Sequence, residues 1–142
     1  MADGRPSADE AWAIALAGMD EGATVMLSDE IGSAMGVARP IYEDGDAVGA
    51  RMAFRAAYER IVTEARTAGT AVRWWPSLGH DSTRREPALR KAVDRGQLTL
   101  EQANRYLPAP MEQAGRDIAQ ALVSHDPAGQ LRAIQQRSEA LS

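Results

Sequence analysis

Asp46-Ala-Val-Gly-Ala-Arg-Met-Ala-Phe-Arg-Ala-Ala-Tyr-Glu-Arg-Ile-Val-Thr-Glu-Ala-Arg-Thr-Ala-Gly69 is the stretch that decides the fold. Asp46 suits an N-cap, Gly69 suits a C-terminal stop, and no proline interrupts the residues between them. The stretch therefore predicts one long helix over about 46–68. At about 100° per residue, Phe54, Tyr58, Ile61 and Ala65 share one face. Met52, Ala56 and Thr63 share the opposite face and are uncharged too. The charges sit in two side strips, Arg55, Glu59 and Arg66 on one flank and Arg60 and Glu64 on the other. Two uncharged faces separated by charged strips predict packing from both sides, as for the middle element of a bundle.

Around that helix, the composition favours more helices. The chain has 142 residues, 44% of them hydrophobic but only 5% aromatic, and alanine is abundant. A core of Leu, Ile, Val, Met and many Ala suits closely spaced helices better than a strand sandwich. One domain over 1–142 accommodates this length: an acidic segment 1–45, the central helix 46–68, a basic–aromatic segment 71–95 and C-terminal helices over 99–141. With no cysteine, disulfides, thiolate nucleophiles and cysteine-ligated metals are excluded. No run of apolar residues is long enough for a membrane span, and the polar, acidic start is unlike a secretory signal, so a cytoplasmic protein is expected.

Charge is unevenly spread along the chain. Residues 1–50 hold ten acids against Arg5 and Arg39, a balance of −8, while residues 51–142 hold 14 bases and ten acids, a balance of +4. Such asymmetry predicts either internal pairing or two surfaces with different partners.

Taken in order, Ser7 and Glu10 have capping-box spacing, and Trp12, Ala15, Leu16 and Met19 follow at helical intervals. Ala23 to Leu27 is short and apolar. Ser28 opens a second helix through about Met35, with Gly36 behind it and Arg39-Pro40 breaking the pattern. After Gly69, Val72-Arg-Trp-Trp-Pro76 reads as a short extended segment ending at the proline, so a minor strand pair near 23–27 and 71–75 is expected. Thr83 with Glu86, then Thr99 with Gln102, give further capping-box spacings, and Leu89, Ala92 and Val93 provide an apolar stripe before Gly96. Helices from Pro110 and after Pro127 complete the chain. The expectation is an all-α bundle of five to six helices around the central one.

Ser28-Asp-Glu-Ile-Gly-Ser-Ala-Met-Gly-Val-Ala-Arg-Pro40 resembles the first helix and turn of helix-turn-helix DNA-binding domains. The resemblance covers about fifteen residues. It implies that Ile31, Ala34 and Met35 are buried, that Gly36 makes the turn, that Val37 is the anchor beneath the second helix, and that Arg39 and Tyr42 face DNA. The segment that would read bases, Arg39 to Asp46, carries Pro40, Gly45 and three acids, which oppose a phosphate backbone. Thr99 to Leu107 is a weaker echo of the same pattern, with Pro108 where glycine would be needed.

Arg73-Trp74-Trp75-Pro76 followed by Arg84 and Arg85 is the other distinctive surface. On the helix beyond it, Arg84, Lys91 and Arg95 fall within about 40° of one another as a basic stripe. Tryptophan and arginine dominate protein interfaces, and the same pair stacks and neutralises single-stranded nucleic acid. In an extended segment, Trp74 and Trp75 point to opposite sides, which predicts at most one in the core. Ser77, His80 and Asp81 lie too close in one loop for nucleophile–base–orienter geometry, and neither histidine has metal-site spacing.

The functional expectation is a non-enzymatic interaction or regulatory protein of adaptor or inhibitor type, with no cofactor and no metal. It would bind a protein partner through Arg73, Trp74, Trp75, Arg84, Arg85, Lys91 and Arg95. The alternative is nucleic-acid binding, either through Arg39 and Tyr42 at the 28–42 corner or through the 73–95 basic surface.

Overall fold

The computed structural model describes residues 3–112. By its internal contacts the chain divides into two units, residues 1–107 and 108–142. The helices expected beyond Pro110 lie outside the described residues.

The first unit is mostly helical with one small sheet. Its elements run α1 (Ala8–Gly18), β1 (Val25–Ser28), α2 (Asp29–Glu43), α3 (Ala47–Ala68), β2 (Trp74–Ser77), a 3-10 turn (Ser82–Arg84), α4 (Arg85–Asp94) and α5 (Leu100–Asn104). Strands β1 and β2 pair antiparallel, with Val25 opposite Ser77 and Ser28 opposite Trp74. The strand pair is therefore present, and β2 continues through Pro76 to Ser77. In the other strand, Met26 lies opposite Pro76.

Local sequence chemistry sets most helix ends. The Ser7–Glu10 and Thr99–Gln102 capping boxes both form reciprocally, satisfying orphan donors at the starts of α1 and α5. Asp46 accepts the Gly49 N–H at 2.7 Å, and Gly69 closes α3 at φ 71°. Thr83 does not cap α4 with Glu86. Its hydroxyl and N–H both go to Asp81 Oδ1, at 2.6 and 3.0 Å, so Asp81 starts a 3-10 turn that feeds directly into the helix.

The corner expected at Gly36 is absent, and Val37, expected as its anchor, is 47% exposed on the helix surface. Helix α2 runs unbroken from Asp29 to Glu43, and the chain reverses at Asp44–Asp46, where Gly45 has φ 95°. Arg39 and Tyr42 thus sit on the same helix as Ile31, so no separate recognition helix carries them. Pro40 is tolerated because both it and Gly36, whose carbonyl loses its helical donor, are exposed. Meanwhile Ile31, Ala34, Met35 and Ala38 are buried at helical spacing, with Ile41 half-buried one turn further on, and this burial carries the helix past the proline.

The core gathers Ala11, Trp12 and Ala15 of α1, Leu27 of β1, the buried face of α2, and Ala50, Phe54, Ala57, Tyr58 and Val62 of α3. Phe54 stacks on Tyr58 at 5.7 Å and meets Trp12 at 5.3 Å. Burying Phe54 alone contributes about 1.5–3 kcal/mol. Among the described residues, α3 is packed on one side: its Met52 face is uncovered, with Met52 67% exposed and Ala56 and Thr63 exposed beside it.

A short N-terminal arm is tied across this core. Arg5, 2% exposed, donates to Glu30 Oε2 from Nε and Nη2, and to the Thr70 carbonyl at 2.7 Å. Asp3 bridges Arg5 and Arg66, and the Tyr58 hydroxyl donates to the Pro6 carbonyl at 2.6 Å. No described helix is long and apolar enough to cross a membrane.

A basic-rimmed groove as candidate functional site

Helix α4 carries its useful residues on one face because Pro87, Lys91 and Arg95 are spaced four apart and Ala88 and Ala92 fall beside them. Opposite that face lie Ala13, Ile14 and Ala17 of α1, with Ala23 to Met26 between. These three elements enclose a groove of about 570 Å³, within the range of ligand-sized sites. Its floor is alanine, Ile14, Val25 and Met26, and its rim is Arg84, Lys91 and Arg95. Thr83 and Gln97 add uncharged polar groups, and the lining contains neither a carboxylate nor an aromatic ring.

Helix α1 explains the apolar floor. After Asp9 and Glu10, residues 11–18 contain no charged side chain and no polar group besides the Trp12 indole N–H, yet only Ala11, Trp12 and Ala15 are buried in the core. A helix apolar on all sides presents a second flank that water covers badly, and here that flank forms the groove wall.

Most of the arginines outside the groove are already occupied. Arg73 forms a two-pronged bridge to Asp29, at 2.8 and 3.1 Å, and Trp75 donates its indole N–H to the same carboxylate at 2.9 Å. Asp9 reaches Arg51 and Arg55. Arg84, at the groove rim, meets Asp20 at 3.1 Å. The Gly22 N–H, followed by Arg84, holds the Asp20 carboxyl below the usual carboxylate range. Four of the ten acids in residues 1–50, Asp3, Asp9, Asp20 and Asp29, are thus paired with arginines beyond residue 50. Lys91 and Arg95, both exposed, have no carboxylate within ion-pair distance among the described residues.

Arg84, Lys91 and Arg95 line one groove, but not as a stripe of one helix: Arg84 ends the 3-10 turn, Lys91 lies within α4 and Arg95 is its C-cap. Arg73 and Trp74 line a neighbouring cavity of about 480 Å³ with Val72 and Gln102, and Arg95 and Gln97 border both spaces. Trp74 and Trp75 do not divide into one core and one free ring: both are half-buried and pack against the core. Trp75 lies against Gly32 of α2, where the missing side chain makes room for the indole. Arg85 turns away to the Gly79 carbonyl at 3.1 Å.

The chain matches no family model, no curated protein and no solved structure.

Other sequence candidates lie apart from the groove. Arg39 pairs within α2 with Glu43 at 3.8 Å, and Tyr42 meets the edge of Trp12 at 6.4 Å. Asp81 directs its carboxylate to Thr83, whose side-chain hydrogen bond and then its N–H lower the Asp81 pKa. No group of three or more His, Asp or Glu able to hold a metal ion occurs among the described residues. Ile14, Ala17, Val25 and Met26 are the site residues that sequence reasoning did not identify. The signal for Ile14 and Ala17 was the uncharged circumference of α1, and for Val25 and Met26 the short apolar run before Ser28.

Proposed function

We propose that this chain is a non-enzymatic interaction protein, of adaptor or inhibitor type, that holds a protein partner along the α1/β1/α4 groove and the adjoining Arg73–Trp74 face. The observation that carries the reading is the groove itself, an apolar floor edged by three cations in a chain of net charge −4. Among the described residues Lys91 and Arg95 have no ion-pair partner, while Arg73 and Arg84 are held in place by acids. Burying such a floor supplies affinity, and the rim supplies orientation and encounter rate.

Nucleic-acid binding through residues 73–95 draws on the same two cations, Lys91 and Arg95. The groove offers no ring for base stacking, and both tryptophans are packed against the core, which favours the protein partner.

Photo-crosslinking from a benzoylphenylalanine placed at position 17, in cells that make the protein, tests the reading. A discrete protein adduct is expected, and Lys91→Glu with Arg95→Glu should remove it. Adducts confined to nucleic acid, or a protein adduct indifferent to both substitutions, would count against it.

A further inference from the structure

We infer that the groove's occupant is an acidic amphipathic helical segment of the partner, with carboxylates one turn apart set against Lys91 and Arg95 and apolar side chains laid on Ile14, Val25 and Met26. This rests on the interaction reading above and specifies the partner's chemistry. Three observations lead to it. The lining carries three cations and no carboxylate, and with Arg84 held by Asp20 the charges that face an acidic ligand are Lys91 and Arg95. Lys91 and Arg95 are four residues apart on one helix, which places their charges about one turn, 5–6 Å, apart and matches acids at i and i+4 on a facing helix. The wall from α1 is Ala13, Ile14 and Ala17, so it asks for aliphatic side chains, the other half of an amphipathic helix.

A nucleic acid satisfies the charges alone. It brings no aliphatic surface to the floor, and finds no aromatic ring there to stack on. The amphipathic peptide satisfies rim and floor together.

The test is selection of displayed random peptides of about sixteen residues on the full-length protein, followed by binding of the winners to two groove variants, Lys91→Glu/Arg95→Glu and Ala17→Trp. Enriched peptides should carry Glu or Asp one helical turn apart beside Leu, Ile or Met. They should lose at least about tenfold in affinity on either variant, and weaken with added salt on the wild-type protein. Groove-dependent peptides that lack acids would overturn the assigned chemistry while sparing the interaction reading. Winners indifferent to both variants would overturn the two together. Tighter, variant-sensitive binding of single-stranded DNA than of any selected peptide would also overturn it, in favour of nucleic acid.

Discussion

Arg5 and Glu30 form a buried ion pair, 3.0 Å apart, in which every hydrogen bond to the Glu30 side chain comes from the arginine. The other oxygen, Oε1, is buried without a partner. Arg5→Met would leave a carboxylate in the interior with nothing to neutralise it, and should destabilise the fold by about 3–5 kcal/mol. Adding Glu30→Leu removes the stranded charge and should recover most of that loss. Urea melts of the two variants decide the matter. A double variant as unstable as the single one would mean that the arm is held by Arg5's contacts to Asp3 and Thr70 instead.

Stability should fall at both ends of the pH scale, for opposite reasons. Asp3, through Arg66 and then the Arg5 N–H, and Glu10, through Ser7, titrate below their ordinary values, as do Asp20 and Asp81. A lowered folded-state pKa gives stability that is present above the unfolded value, near 4, and lost as pH falls through the folded one. The urea midpoint should therefore drop on acidification below about pH 4, and Asp3→Asn should flatten that limb. Burial pushes Tyr58 up to about 12 from an ordinary 10. Its contribution is whole below about pH 10 and is lost as pH rises toward about 12, a limb that Tyr58→Phe should abolish.

Local signals in this chain were legible and tertiary choices were not. Capping at Ser7, Asp46 and Thr99 depends on neighbours three residues away, and each forms as its spacing implies. At Pro40 the local rule pointed the wrong way. The burial of Ala38 and Ile41 beyond the expected break outweighs one missing hydrogen bond on the solvent side. Helix α3 offered two uncharged faces, and only the positions of α1 and α2 decide that Phe54 is covered and Met52 is not. Helical geometry aligns Lys91 with Arg95, whereas Arg84 reaches the same rim from the 3-10 turn before α4. The apolar wall facing them comes from α1, some seventy residues earlier in the chain, and periodicity carries no information across that distance.

Two glycines of α2 should respond in opposite directions to alanine. Nothing lies within 4 Å of a Cβ at Gly36, and the position is helical, so Gly36→Ala should stabilise by about 0.5–1 kcal/mol. A turn at Gly36 with positive φ would instead make the change destabilising, so the same measurement also tests the continuity of α2. At Gly32 a Cβ would lie 3.0 Å from Cζ2 of Trp75, whose indole N–H is tied to Asp29. The ring cannot easily withdraw, and Gly32→Ala should destabilise by about 1–3 kcal/mol.

Gly79 marks where the β2 end of the sheet closes onto the loop before β1. Its N–H donates to Thr24 Oγ1 at 3.2 Å, and His80 and Asp81 continue the contact by donating to the Glu21 and Gly22 carbonyls. A Cβ at Gly79 would overlap the backbone of Gly22 and the Ala23 carbonyl, atoms that cannot move without unpairing the loop. Gly79→Ala should therefore destabilise by more than about 2 kcal/mol, far beyond the effect of losing helix or strand propensity. It should also disturb Ala23 and Thr24 in the groove lining, seen as faster amide exchange over residues 20–26.

Ala17→Trp separates binding from folding most cleanly. Ala17 is exposed and lines the groove without belonging to the core, so a bulky ring there meets solvent and not packed atoms. Folding stability should change by no more than about 0.5 kcal/mol, as at ordinary surface positions. The indole would nonetheless fill the space between α1 and α4 and shut out an incoming segment. A variant that unfolds early in urea would show that Ala17 is packed more tightly than its exposure implies. One that folds normally yet retains full partner binding would place the interaction elsewhere on the molecule, because no helix could share the groove with that ring.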